Sequence, residues 1–151
     1  MTWRLDGFYY NPIARAVDEW ARSHQSHHTT LGDLCEVFDV PPFKHIYVEE
    51  GQGTPFFTSG EIFLLERKAR KFLSKTQTKG LEQYILQRGW ILLARSGQLG
   101  GIIGRPQFTD SALHNSATSD HVIRIVPRGG IPAGYLFEGS RHLLAESVVA
   151  K

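Results

Sequence analysis

The sequence predicts an α+β domain with a helix near each end and a core of short, irregular strands between them. Apolar residues recur at helical spacing in residues 12–23, and residues 131–151 begin with a turn and finish as an apolar helix. The middle of the chain instead carries short runs rich in β-branched and aromatic residues, interrupted by glycine and proline. At 151 residues the chain is long enough to bury its own core, so we expect a single domain over residues 1–151.

The first predicted helix runs from about Pro12 to Ser23. Asn11 is a residue type that caps helices, and proline is favoured at the first helical position. A polar connector follows, and residues 29–40 then predict a short turn or helix that feeds a strand. The pair Pro41-Pro42 ends this element, because proline cannot donate a backbone hydrogen bond.

Several short strands are predicted in the middle of the chain. The first two are "HIYV" and "PFF", which lie between glycine-containing turns. Leu81 to Gln87 predicts a short helix, and Trp90 to Ala94 predicts a strand apolar enough to be buried on both faces. A glycine-rich turn then precedes another short strand. The alternating segment "HVIRIVP" is a further strand, which Pro127 ends.

Positive charge is concentrated in one short stretch, Glu66 to Gly80. This stretch holds six of the 17 basic residues and one of the 15 acidic residues. The rest of the chain therefore carries eleven basic and fourteen acidic residues, a net charge of −3, although the whole chain is at +2. A local excess of positive charge favours a local anionic partner. A solvated charged face is the alternative, and the charge alone does not decide between the two.

The six basic residues can be presented in two ways. On a helix, Arg67, Lys71 and Lys75 would line one face, whereas in a loop all six could reach a curved surface. Duplex DNA carries one charge per ~1.7 Å of its axis, so six cations could supply much of a nonspecific binding free energy. Thr76 and Gln77 add polar groups that can hydrogen-bond to phosphates or base edges.

Composition and hydropathy bear on the compartment of the protein. Cys35 is the only cysteine, so no disulfide can form within the chain, which suits a reducing cytoplasm. No apolar run approaches the ~18 residues that cross a bilayer. Residues 1–12 lack the apolar segment of a secretory signal. We therefore expect a cytoplasmic protein.

Three groups of chemistry-bearing residues favour structural explanations. His24, His27 and His28 lie in a polar connector without cysteine partners, which favours a solvated linker over a metal site. The glycines of segment 97–104 lack the spacing of a phosphate-binding loop, so a tight turn is the better explanation. Residues 119–121, Ser-Asp-His, are interpreted as a hydrogen-bonding cluster at the start of a strand rather than a catalytic triad. We expect no cofactor, no metal and no catalytic residue.

Four segments, in the same order along the chain, resemble the specificity (S) subunits of type I restriction–modification enzymes. "WRLDGFYYNP" is similar to their opening segment, and "GTPFFTSGEI" to the segment that enters their recognition sheet. "GWILLARSGQLGGIIG" resembles their Gly-Asp-Ile-Leu-Leu-x-x-Ser-Gly-x-x-Gly core, although Trp90 stands where the family commonly has Asp. "SATSDHVIRIVP" with "IPAGYLF" resembles their Ser-Asp-His strand and the helix after it.

The resemblance implies a target recognition domain, with an N-terminal helix, an irregular β-rich core and a C-terminal helix. Such a domain does no chemistry itself. It binds double-stranded DNA and reads half of a bipartite sequence for the methyltransferase and restriction subunits of the same system. A complete specificity subunit has two such domains separated by long spacer helices, and this sequence matches one domain without a spacer. Whether it is a fragment, a half-subunit or a full protein stays open, as does its self-association.

The resemblance also implies which residues meet DNA, because the variable region between the "SGEI" and "GWILL" segments helps to face DNA in this family. Here that region is the basic stretch. Thr76 and Gln77 are the expected base readers, since a glutamine amide can pair bidentately with adenine. The secondary candidates at the glycine turn are Arg95, which could instead brace the turn, Ser96 and Gln98. The expected phosphate contacts are Arg67, Lys68, Arg70, Lys71, Lys75 and Lys79, with Lys44 as a further candidate beside the proline pair.

Two other functions stay open on the sequence alone. Glu66 and Lys68 match the end of a metal-dependent nuclease signature, although the nearest upstream acidic residue is Glu61 and Asp39 is distant. The other is a protein-interaction domain that docks a partner through the final helix. Its apolar face would be formed by Leu143, Leu144, Val148 and Val149.

Overall fold

Two four-stranded sheets and a C-terminal helix make up the observed fold, in a computed structural model that describes residues 29–96 and 102–140 with the isolated residues Ala16, Glu19 and Ser23. The predicted α+β class is confirmed. The predicted helix from Pro12 to Ser23 lies outside the described residues except for those three, which are helical. The strands are β1 (Cys35–Phe38), β2 (Tyr47–Val48), β3 (Gly53–Phe57), β4 (Lys71–Ser74), β5 (Ile91–Ala94), β6 (Pro106–Phe108), β7 (Ala117–Thr118) and β8 (Val122–Pro127).

The described core begins with a single helical turn, α1 (Leu31–Leu34), that leads directly into β1. Thr30 caps this turn: its hydroxyl accepts from the backbone N–H of Asp33 at 3.3 Å, and its own N–H donates to the Asp33 carboxylate at 3.0 Å. This reciprocal arrangement satisfies N–H groups that the first turn of a helix leaves unpaired. The short helix or turn predicted before a strand in residues 29–40 is confirmed.

The first sheet has the strand order β1-β8-β5-β6, and every pair in it is antiparallel. Its central strand β5 is buried on both faces, as its apolar sequence predicts. Ile91 packs with Ile125 and with Leu136 of the C-terminal helix, α2 (residues 133–140), on one face. Leu92 points to the other face and packs with Val122. Alternation along the strand therefore places β5 between the helix and the second sheet.

The second sheet has the order β2-β4-β3-β7, and its strand β4 lies within the basic stretch. β4 pairs antiparallel with β2 and β3, and β3 pairs parallel with β7. Gly53 starts β3 close to the backbone of β4, because a Cβ atom there would lie 2.5 Å from the carbonyl oxygen of Leu73. Phe57 of β3 packs against Leu92 of the first sheet, so the two sheets share one apolar cluster.

Leu81 to Gln87 was predicted to be a short helix, and the structure gives a shorter 3₁₀ helix at Leu81–Tyr84. The chain leaves the helix because Ile85 forms a β-bridge with Ala117 and the N–H of Leu86 donates to the carbonyl oxygen of Ser116 at 2.8 Å. Tertiary pairing thus wins over local helix propensity. The apolar residues predicted for a docking face at the end of the last helix, 143–149, lie outside the described residues. No helix in the described part of the chain could span a membrane.

A buried arginine lies where the two sheets meet. Arg124 of β8 is fully buried, and its guanidinium donates to the carbonyl oxygens of Val122 at 2.5 Å and of Thr118 at 3.4 Å. Val122 belongs to the first sheet and Thr118 to the second. Burial lowers the pKa of Arg124 to about 10, although Tyr84 and the carboxylate of Asp120 act in the opposite direction.

Arg124→Ala should lower the free energy of unfolding by about 3 kcal/mol or more, because it leaves a cavity and two carbonyl groups without their donor. Arg124→Met should cost clearly less, since it fills most of the volume without burying a charge. Urea unfolding followed by circular dichroism measures both. The exposed Arg88→Ala is the control and should stay within about 0.5 kcal/mol of the wild type. An Arg124→Ala variant as stable as that control would contradict this role.

Candidate nucleic-acid interface

The basic stretch begins beside a short 3₁₀ helix, Glu61–Phe63, whose N-cap residue Gly60 makes no side-chain cap. Just before it, Thr58 and Glu61 hydrogen-bond each other reciprocally in the pattern of a capping box. The carboxylate of Glu61 accepts from the backbone N–H and from the hydroxyl of Thr58, both at 2.8 Å. Burial raises the pKa of Glu61, but the hydrogen bonds from Thr58 and the charges of Lys71 and Arg70 outweigh it, so the net shift is downward. The pattern Thr58-x-x-Glu61 is readable in the sequence as a capping box, and our sequence interpretation missed it.

Arg67 faces the protein rather than solvent. Its guanidinium pairs with the carboxylate of Asp110 and donates to the carbonyl oxygens of Ile62 at 3.4 Å and Leu64 at 3.2 Å. Its side chain is 14% exposed. Arg67 was expected to meet phosphates, and this internal set of partners leads us to omit it from the interface that we propose.

The other cations of the stretch point outward. Each is exposed, and none forms an ion pair with another residue within 29–96 or 102–140. Together with Lys44, which is also exposed, we call them the basic surface: Lys44, Lys68, Arg70, Lys71, Lys75 and Lys79.

An extended strand and a turn present these cations, not a helix. Lys71 opens β4, and the turn after it is fixed by the side chain and carbonyl of Ser74. The Ser74 hydroxyl accepts from the N–H of Gln77 at 3.1 Å, and its carbonyl accepts from the N–H of Thr78 at 3.2 Å. Lys75, Thr76 and Gln77 therefore stand at an exposed, well-supported tip. Of the two arrangements that the sequence allowed, the loop-like one is observed.

A cleft of about 720 Å³ lies beside this turn and brings together residues far apart in the sequence. Lys44 lines it from one side, and Gln77 and Lys79 line it from the other. Pairing of the two segments explains the approach, since the N–H of Ser74 donates to the carbonyl oxygen of Ile46 at 2.8 Å. The floor is aromatic: the rings of Phe43 and Tyr84, both lining residues, stack at 3.7 Å between their centroids.

Aromatic contacts connect the cleft to Lys71. The ring of Phe43 lies 4.5 Å from that of His45, which in turn lies 5.9 Å from Tyr47. The ammonium of Lys71 lies 5.9 Å from the centre of the Tyr47 ring. Burial lowers the pKa of His45, with Asp120 opposing this and Lys71 adding to it, so the imidazole is mainly neutral at pH 7. The cleft, the aromatic row and Lys71 form one continuous surface.

The candidates at the glycine turn are placed differently. Arg95 pairs with Asp39 at 2.5 Å, and both side chains are about half exposed. This ion pair joins Arg95 to the segment after β1. The bracing of the glycine turn by Arg95 stays a prediction. Ser96 is half-buried, and Gln98 lies outside the described residues.

The residues considered for catalysis are not assembled into a site in the described part of the chain. Among those residues, no three His, Cys, Asp or Glu side chains lie close enough to hold a metal ion. The carboxylate of Glu61 accepts hydrogen bonds from Thr58, and that of Asp39 pairs with Arg95. The histidines at 24–28 lie outside the described residues. The prediction of a hydrogen-bonding cluster at residues 119–121 is wrong for Asp120 and His121. Their side chains are 4.0 Å apart, which is too far for a hydrogen bond, and the imidazole is largely exposed.

Arg67→Ala should lower the free energy of unfolding by about 2 kcal/mol, because it removes hydrogen bonds from a charged donor and leaves Asp110 without its partner. Lys68→Ala, the neighbouring cation on the basic surface, should change it by less than about 0.5 kcal/mol. Chemical unfolding of the two variants side by side measures the difference. Equal effects would show that Arg67 is as free as Lys68.

Glu61→Ala should lower the free energy of unfolding by about 1 kcal/mol at pH 7, because it removes two hydrogen bonds that Thr58 donates to the carboxylate. Because the folded-state pKa of Glu61 is lowered, its contribution is present above the ordinary value of 4.5 and is lost as the pH falls through the folded pKa. The difference between wild type and variant should therefore shrink below about pH 4.5. In a Thr58→Ala background the Glu61 substitution should have a smaller effect at every pH. A difference that is constant from pH 7 to pH 3 would contradict the lowered pKa.

Comparison with known proteins gives structural matches but no sequence matches. No protein-family model and no curated protein matches the sequence. The structure is similar to the HsdS subunit from Thermoanaerobacter tengcongensis, with a TM-score of 0.57 and 17% identity over 95% of this chain and 40% of that one. It is also similar to a chain from a study of complex assembly and conformational transition in the type I R-M system, with a TM-score of 0.58 and 18% identity over 87% of this chain and 33% of that one.

These matches confirm, at the level of fold, the resemblance that four short segments indicated. They also set its extent, because the chain spans 40% or less of the length of the two matched proteins. The chain therefore has the fold of part of a type I restriction–modification specificity subunit.

Proposed function

We propose that this chain is a sequence-specific recognition module for double-stranded DNA in a type I restriction–modification system. The observation that carries the proposal is the basic surface, whose exposed cations have no ion-pair partner among the described residues. A solvated charged face would need no second segment, yet Lys44 joins Gln77 and Lys79 at one cleft. The shared fold with specificity subunits supports the same function.

Phosphate contacts would supply most of the affinity. Lysine is a flexible, strongly hydrated point charge, which suits contact with phosphates at variable positions more than the reading of one base. Five of the six cations on the basic surface are lysines. Five of the six, including Arg70, lie in a single strand and turn region, residues 68–79. Each phosphate that is neutralised releases counterion from the duplex, so binding should weaken steeply with salt.

Base reading would come from the polar side chains between those cations. Gln77 lines the cleft and lies at the tip of the turn, and its amide has the donor and acceptor needed for a bidentate pair with adenine. Thr76 is exposed beside it and can donate or accept one hydrogen bond. The turn is held by Ser74, so both side chains start from a fixed backbone, which favours discrimination between bases.

In the assembled system, the module would direct methyltransferase and restriction subunits to one half of a bipartite site. The other half would be read by a second recognition domain, on a separate segment or on another copy of the chain. We assign the chemistry to the partner subunits, as the resemblance to specificity subunits implies.

Binding to duplex DNA should weaken by several powers of ten per tenfold rise in salt, with a log–log slope of about −0.9 for each phosphate contact. Fluorescence anisotropy with a labelled duplex, selected from a random pool on the purified chain, measures this slope. Lys75→Ala with Lys79→Ala should make it shallower by about two units, because two contacts are lost.

The matched control removes the same charge elsewhere: Arg88→Ala with Arg128→Ala, both exposed and outside the basic surface, should leave the slope unchanged. Equal effects of the two pairs would reduce the basic surface to a solvated face. A slope near zero for the wild type would reject phosphate contacts altogether. Gln77→Ala should instead relax the selected sequence at one position while keeping the slope.

A further inference from the structure

The loop before β4 carries an exposed apolar tip, formed by Leu64 and Leu65. Leu65 is 98% exposed and Leu64 is 51% exposed. One exposed leucine is ordinary on a protein surface, so exposure alone decides nothing. Two adjacent leucines at the tip of a supported loop form a small apolar projection.

Arg67 supports the tip through hydrogen bonds. The guanidinium donates to the carbonyl oxygen of Leu64 at 3.2 Å and pairs with Asp110. The second oxygen of Asp110 accepts from the N–H groups of Ala112 at 3.0 Å and Leu113 at 3.2 Å. Leu113 is fully buried in the cluster that joins the sheets. A chain of hydrogen bonds therefore fixes the leucine tip to the core, which a flexible solvent loop would not need.

Exposed cations follow the tip in the sequence, and another packs on the loop just before it. Lys68 and Arg70 follow it in the chain and are exposed. Arg105 comes from a distant part of the sequence and lies over the ring of Phe63, 5.9 Å from its centre. Glu66 is the exposed carboxylate of this loop, whereas Glu61 is engaged by Thr58. Such a tip complements a polyanion with an apolar interior. Duplex DNA is of this kind, because its phosphates are outside and its stacked bases are inside.

We propose that Leu65 is an apolar wedge that enters a base step of the bound duplex, with Lys68, Arg70 and Arg105 on the flanking phosphates. This inference rests on the proposed DNA-binding function. Apolar side chains inserted in this way partly unstack a step and kink the duplex. The cost is lowest at flexible pyrimidine–purine steps, so the wedge would add sequence preference at a position where no hydrogen bond reads a base.

The test uses the duplex recovered by selection on the full chain, with 2-aminopurine placed in turn at each position. Wild-type protein should raise the fluorescence at one step at least twofold, because that base loses its stacking partner. Leu65→Ala should abolish the rise, and Leu65→Phe should retain it. A mismatch introduced at the same step should tighten binding of the wild type by about tenfold, since the unstacking is already done, and should leave Leu65→Ala unchanged.

Tyr135→Ala, which removes another exposed apolar side chain far along the chain, is the matched control and should behave as the wild type. Each variant must keep the thermal midpoint of the wild type, as expected at exposed positions. Salt-dependent binding without any change in 2-aminopurine fluorescence would overturn the wedge and leave the proposed function intact. Absence of duplex binding would overturn both. Loss of self-association in Leu65→Ala, with DNA binding unchanged, would assign the tip to a protein contact instead.

Discussion

The geometry of this protein depends on one buried cation placed where its two sheets are joined. The chain passes from the second sheet to the first in the short turn between β7 and β8, and Arg124 donates to a carbonyl oxygen on each side of that turn. Burying a guanidinium is unfavourable unless it is hydrogen-bonded, and its lowered pKa reflects that cost. The carboxylates of Asp120 and Asp39 offset part of it. Together with the apolar cluster that Phe57 and Leu92 share, this contact fixes the relative position of the sheets, and with it the position of the basic surface.

Arginine and lysine are used differently in the described part of the chain. Arg124 and Arg67 turn inward and each reaches several acceptors, and Arg95 is paired with Asp39. The planar, multi-donor guanidinium suits such bracing, whereas a lysine ammonium is better solvated and stays at the surface. The exposed cations beside the cleft are accordingly lysines, Lys44 and Lys79. Counting basic residues along the sequence could not separate these two uses, because the separation depends on partners that are distant in the chain.

Local signals in the sequence predicted much of the fold. The apolar run of β5, the alternation of β8 and the turn before β1 all appear where local pattern placed them. The relations between distant segments were not predictable in this way. Asp110 lies 43 residues beyond Arg67, and Lys44 reaches Gln77 through strand pairing that no local pattern encodes. The reciprocal hydrogen bonds of Thr58 and Glu61 were readable from the spacing of these residues, and they precede the supported loop.

Affinity and discrimination would have different structural origins on this surface. Lysines on phosphates bind any duplex nearly equally, so they determine strength and salt dependence but not sequence. Discrimination requires groups held at fixed positions, and the described surface has two such places. One is the turn at Gln77, which a hydrogen bond to Ser74 fixes. The other is the loop at Leu65, which a hydrogen bond from Arg67 fixes. Both are short, exposed segments attached to a buried framework. Such segments can change in sequence while the framework and its internal arginines stay the same, so the proposed function would let one fold recognise many different DNA sequences.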